Sequence, residues 1–424
     1  MIRRFALLLI ALSLVACTGE GAARRTPTAS PTLAPSETPL PPPTPALTPT
    51  PFTWRATLVL WLDWDDQQLA FLEQVMRTFQ GAYPEVYFDV RRIPSEVLQD
   101  TYTQETYNGG GPTLLFAPAE WGRAWADEQL VADLAGFAAP DLLATLSPPG
   151  VESAAYQGKL INLPYALRGM VLYRNQSIIP QAAANFDEFL TLAQTATHGG
   201  VVGADLERGI YYSAAHLYGL GGTLMDEQGN PAFNTEAGLE WLSLLKDFER
   251  AGAAELSTER DVRLFKEGKV GWITEGSWKR QELADAIGPA NLAIDPWPAV
   301  NGGSLSGFVW ADSLYLNPNS TREEQAAAFQ FISYLLSAEV QSRLAEVGFI
   351  PAAQTARPRD VQVQQLIAAL KGGVPYPLHP DAPVYWDPLA TALYAVFKEN
   401  AAPAAALLQA DDQITTRLLE RRTK

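Results

Sequence analysis

Thr57-Leu58-Val59-Leu60-Trp61-Leu62 is a short apolar run that reads as a strand, and the sixty residues after it decide the fold. Residues 67–79 place Leu69, Leu72, Val75, Met76 and Phe79 at helical spacing. Residues 86–90 form a second strand pattern. Pro94 then opens another helical stretch at a position where a missing backbone N–H costs nothing. The loop Asn108-Gly109-Gly110-Gly111-Pro112 leads into a strand over 113–116 and a helix through Trp121 and Trp125. This βαβαβ order predicts an α/β fold with a mainly parallel sheet covered by helices. Trp61 lies inside the first strand and is expected in the core.

Helical patterns dominate the rest of the chain. Trp241, Leu244, Leu245 and Phe248 share one face of a helix over 235–250, and others span 323–336, 381–398 and 402–419. There is no internal repeat. The length of the folded body suggests about two domains.

The N-terminus reads as an export signal. Arg3 and Arg4 precede an apolar stretch over 5–15, which is too short to span a bilayer. It ends in Leu14-Val15-Ala16-Cys17, which resembles a bacterial lipobox, and Cys17 is the only cysteine. Residues 1–16 are then a lipoprotein signal peptide, and Cys17 is the lipidated first residue of the mature chain. Residues 17–53 are a lipid-anchored linker, rich in proline and threonine from Thr26 to Pro51 and unable to build ladders. Without disulfides, the body must rely on its hydrophobic core.

Composition narrows the partners. A net charge of −16 argues against nucleic acid and against adsorption to anionic lipid. Eleven tryptophans are more aromatic surface than a core commonly needs. His198, His216 and His379 show no metal-ligand spacing, so no metal is expected. Gly303-Ser304-Leu305-Ser306-Gly307 carries leucine where a nucleophile elbow has serine, and Gly219-Leu220-Gly221-Gly222 lacks the third glycine of a dinucleotide loop. No cofactor and no enzymatic activity are expected.

Tyr156-Gln157-Gly158-Lys159-Leu160-Ile161-Asn162-Leu163-Pro164-Tyr165, followed by Leu172-Tyr173-Arg174-Asn175, resembles a paired element of the extracellular solute-binding proteins of ABC importers. Gly221-Gly222 with Asp226-Glu227-Gln228-Gly229-Asn230-Pro231, Phe265-Lys266-Glu267-Gly268-Lys269-Val270 and Glu275-Gly276-Ser277-Trp278 are similar to further motifs of that family. They keep order and spacing across the folded body, and look most like the carbohydrate-binding branch that includes maltose-binding protein. The resemblance implies a two-lobed periplasmic-binding-protein-like fold of type II, with ligand held between lobes joined by three crossovers near 166–168, 308–311 and 348–351. Lobe 1 would comprise 54–166 plus 310–350, and lobe 2 167–309 plus 351–424. It further implies a monomer that closes on a sugar and delivers it to permease subunits.

A pyranose offers C–H faces to aromatic rings and hydroxyls to carboxylates and amides. On that basis Asp63, Trp64 and Asp65 are expected at the cleft, in the turn after the first strand; Asp65 and Asp66 are equally explained as N-terminal helix residues. Glu120 and Trp121 resemble the family's acidic–Trp pair. Tyr211 and Trp278 align with its stacking aromatics. Of Tyr385 and Trp386, one is expected to face the cleft and the other the core. Trp310 sits at a crossover, where it either packs the hinge or touches ligand. Arg168 either reads an acidic or phosphorylated sugar or pairs with an acid such as Glu275, the simpler arrangement. Three alternatives stay open: a glycoside hydrolase using Asp63 or Asp65 with Glu275, a polysaccharide-binding adhesin, and a binding protein for a polyamine or metal chelate.

Overall fold

The computed structural model describes residues 55–256, 259–300 and 302–423. Cys17, the signal segment and the linker lie outside the described residues, as does Trp54.

An 11-stranded sheet runs through the molecule. Its strands are β1 (Ala56–Leu62), β2 (Val86–Arg92), β3 (Leu114–Pro118), β4 (Leu163–Asn175), β5 (Val202–Glu207) and β6 (Gly252–Glu255). They are followed by β7 (Val270–Gly276), β8 (Leu292–Asp295), β9 (Phe308–Leu316), β10 (Ile350–Pro351) and β11 (Val374–Pro375). The order is β2-β1-β3-β9-β4-β7-β5-β6, with β8 and β10 paired to β4 and β11 to β9. Each end is parallel: β1 lies between β2 and β3, and β5 between β6 and β7. The antiparallel pairs all involve the two crossing strands, β4 and β9.

Two large cores form on this sheet, with a third cluster around Val171, Tyr173, Phe265 and Ile273. The first draws on Leu58, Leu60 and Leu62 of β1, on Phe71, Leu72, Val75 and Phe79 of helix Asp66–Ala82, and on Phe331 and Leu335 of helix Arg322–Leu335. The second collects Phe189, Trp241, Phe248 and Trp272, then Leu389, Leu393, Leu407 and Ile414 from the last two helices, Pro383–Lys398 and Pro403–Arg422. Trp61 is buried in a smaller cluster with Tyr102, Trp125 and Tyr315.

Three stretches far apart in sequence come together on neighbouring strands. Leu167 of β4 lies between Ala311 of β9 and Ile350 of β10. The β4–β9 register places Trp310 opposite Arg168 and then slips between Asp312 and Ser313, beside Pro164. Proline cannot donate to a ladder, and a bulge of this kind re-aims the neighbouring side chains. Gly348, at φ +90°, makes the turn into β10 that a side chain would strain.

Candidate functional site around the crossing strands

Side chains two apart on a strand share a face. Trp310 and Asp312 of β9 therefore flank Arg168 of β4. Arg168 donates from Nη2 to Glu120 Oε1 at 2.7 Å, and its Nε lies 3.5 Å from Asp312 Oδ1. Glu120 arrives from the turn just beyond β3, whose last residue, Pro118, pairs with Asp312. Burial pushes the Asp312 carboxyl up to about 6; Arg168 opposes the rise, and the charges of Glu120 and Asp63 add to it. A small cavity of about 200 Å³ opens beside Arg168, Asp312, Trp278 and Phe349.

An aromatic column stands next to this charged cluster. Trp386 stacks on Tyr376 (centroids 5.6 Å apart, planes at 25°), and Tyr376 stacks on Trp310 (4.9 Å, 25°). Tyr211 continues the column at 5.5 Å from Trp310, which Trp278 approaches edge-on at 6.3 Å. Tyr211 is 41% and Trp278 51% exposed, whereas Trp310 is buried. The charged and aromatic parts are adjacent. Partial burial raises the pKa of Tyr211, whose hydroxyl also feels Arg168, Glu275 and Glu120; burial likewise raises that of Tyr376, with Glu120 adding.

Local structure explains these positions. Trp278 follows the carboxyl end of β7 in a single 3₁₀ turn, and a Cβ on Gly276 would run into its indole. The ring thus lies across bare backbone with much of its surface open. Ser277 Oγ accepts from Gly169 N at 3.1 Å, tying this turn to β4. Glu275 is buried in β7; Oε2 accepts from Gly276 N at 2.8 Å and Oε1 from the Tyr212 hydroxyl at 3.3 Å. Desolvation raises its pKa against those two bonds.

Several expected ligand contacts are placed elsewhere. Trp64 is 2% exposed, packed among Phe116, Tyr165 and Phe349, with Nε1 donating to Tyr165 Oη at 3.1 Å; it is core. Asp65 caps helix Asp66–Ala82 in a capping box with Gln68, so its carboxylate serves the helix. Tyr385 is fully buried and donates to Gly229 O at 2.8 Å, leaving Trp386 as the member of that pair in the column. Arg168 pairs with Glu120 and Asp312, not with Glu275. Trp121 packs edge-on against Trp125. Asp63 is exposed beyond β1, near enough to Asp312 for the charges to interact.

Two residues of the cluster escape a reading of the sequence. Asp312 was signalled only by its i,i+2 relation to Trp310. Tyr376 lies in Val374-Pro375-Tyr376-Pro377, which has no periodicity to mark it.

The chain belongs to the bacterial extracellular solute-binding proteins, whose family profile matches residues 74–371. It is 26% identical over 327 residues to the galactooligosaccharide-binding protein of Bacillus subtilis, covering 71% of this chain and 76% of that one. It is 25% identical over 281 residues to a maltooligosaccharide ABC transporter solute-binding lipoprotein of Streptococcus pneumoniae, covering 59% and 64%. An extracellular solute-binding protein from Staphylococcus aureus, solved in complex with maltose, superposes with a TM-score of 0.76 at 19% identity, over 85% of this chain and 97% of that one. The fold is therefore the two-lobed α/β fold of these proteins.

Proposed function

We propose that the protein is the substrate-binding lipoprotein of an ABC importer, and that it captures a neutral oligosaccharide where the crossing strands meet. The observation that carries this is the aromatic column, half-exposed at Trp278 and Tyr211, beside the Glu120–Arg168–Asp312 cluster. Rings cover the apolar faces of a sugar, while ionised side chains satisfy its hydroxyls. Ligand-binding residues in this reading are Glu120, Arg168, Asp312, Tyr211, Trp278, Tyr376 and Trp386, with Asp63 and Glu275 at the margin.

Electrostatics favours a neutral ligand over an acidic or phosphorylated one. Arg168 already serves two carboxylates, and Asp63 adds a third charge. A ligand anion would displace those partners and then face them. A hydrolase is disfavoured too, since Asp65 is engaged in its helix cap and Glu275 is held by Tyr212 and Gly276.

In this reading, residues 54–166 with 310–350 form one lobe and 167–309 with 351–424 the other. Sugar touching both stabilises the closed form that permease subunits receive. Lipid on Cys17 and the Pro/Thr linker keep this monomer beside them. The named relatives, one of them a lipoprotein, support this reading. The test is calorimetric titration of the full chain with maltooligosaccharides, β-galactooligosaccharides, oligogalacturonides and hexose phosphates. Saturable binding confined to neutral sugars is expected. Binding confined to the anionic ones, or release of reducing ends, would overturn the reading.

A further inference from the structure

A larger cavity of about 660 Å³ adjoins the site and shares Tyr376 with it. Such a volume suits a ligand of several rings. Its walls are lined by Arg123, Glu152 and Tyr156 from before β4, by Tyr218, Asp226 and Glu227 from after β5, and by the segment from Pro375 to His379. These stretches lie close enough for the Tyr218 hydroxyl to feel Glu152 and for the His379 imidazole to feel both Arg123 and Asp226.

The lining is pre-built. Asp127 accepts from the Tyr156 hydroxyl at 3.0 Å and from Gln157 Nε2 at 3.3 Å, which pins the short hairpin that pairs Ala155–Tyr156 with Lys159–Leu160. The Arg123 guanidinium lies over the Tyr156 ring at 5.2 Å, and its Nε is buried with no hydrogen-bond partner among the described residues. Asp226 accepts from Gln228 N and Asn230 N at 2.9 and 2.8 Å. Arg422 ties the same turn to Asp381. Gly229, at φ +74°, leaves room for the His379 ring that a Cβ would strike. Rigid walls lower the ordering cost of binding. The Arg123 guanidinium and the acidic acceptors that line the cavity match the mixed acceptor and donor edges of a polyol.

Resting on the oligosaccharide reading above, we propose that this cavity is a continuation of the binding cleft that takes the further units of the chain. Arg123 donates to hydroxyl or ring oxygens, and Glu152 and Asp226 accept from hydroxyls. Arg123 is thereby a length-specificity residue: it acts on the second half of the ligand and not on the half at Trp278.

The test is calorimetry of the full chain with maltose to maltohexaose and the matching β-galactooligosaccharides. Wild type should bind tetramers and longer chains at least about tenfold more tightly than dimers. Arg123→Gln and, separately, Glu152→Gln should remove most of that gain and leave the dimer Kd unchanged. A wild-type affinity independent of length overturns the extension while leaving the oligosaccharide reading intact. So does an equal loss for dimer and tetramer in both variants. Failure of every neutral sugar to bind wild type overturns both.

Discussion

Trp278→Ala separates a binding role from a structural one. The side chain is 51% exposed. A buried aromatic of this size accounts for ~150–250 Å², so roughly half, ~75–125 Å², is free to be covered by a sugar face. At ~25 cal/mol per Å² full coverage contributes ~2–3 kcal/mol, or a factor of ~30–150 in Kd. The other half lies over Gly276 and against the edge of Trp310. Losing it costs at most ~3 kcal/mol, a fall in Tm of no more than about 5 °C in a body this large. Tyr385→Ala is the contrasting variant: fully buried and bonded to Gly229 O, it should cost ~3–5 kcal/mol. The assays are calorimetric titration with the best-bound sugar and a thermal melt of the free protein. A Trp278→Ala protein that binds within a factor of ~2 of wild type, or melts as low as Tyr385→Ala, refutes the reasoning.

Arg168→Met leaves Glu120 and Asp312 facing each other without a cation, and the Asp312 carboxyl should rise further above its present value near 6. The folded state then keeps a proton that the unfolded chain releases above pH ~4, so the destabilisation, ~1–3 kcal/mol, is greatest above pH 7 and fades toward pH 4. Urea midpoints at pH 4.5, 6 and 8 check this; a deficit that grows on acidification would contradict it. His216 has the opposite sign. Burial pulls its pKa down to about 4, and Nδ1 accepts from Ser306 N at 3.1 Å. The unfolded chain protonates first as pH drops, so stability falls between pH 6.5 and 4, by roughly 3 kcal/mol in total. His216→Asn, which keeps an acceptor but cannot titrate, should show a shallower decline in the same measurement, and an unchanged slope would rule out His216 as its source.

The parts of this molecule with strong local periodicity were legible in its sequence. The strand at Ala56–Leu62, the helix Asp66–Ala82 and the amphipathic helix Glu236–Ala251 appear within three residues of where apolar spacing puts them. Leu167, Ala311 and Ile350, one from each of the stretches 166–168, 308–311 and 348–351, sit side by side on paired strands. Site residues were less legible, because adjacent residues of like chemistry diverge once packed. Trp64 turns into the core while Asp63 stays outside, and Tyr385 is sealed by Gly229 while Trp386 joins the column.

By itself, then, the sequence determined the α/β class, the strand–helix alternation and the family, since those depend on spacing along one chain. Only the tertiary structure decided which carboxylates hold Arg168, that Tyr376 bridges Trp310 and Trp386, and that Arg123 faces a second cavity. Apart from Tyr376 on Trp386, those contacts join residues 48 or more positions apart. Their geometry follows from the register of β4 against β9 and the bulge beside Pro164, which no local pattern encodes.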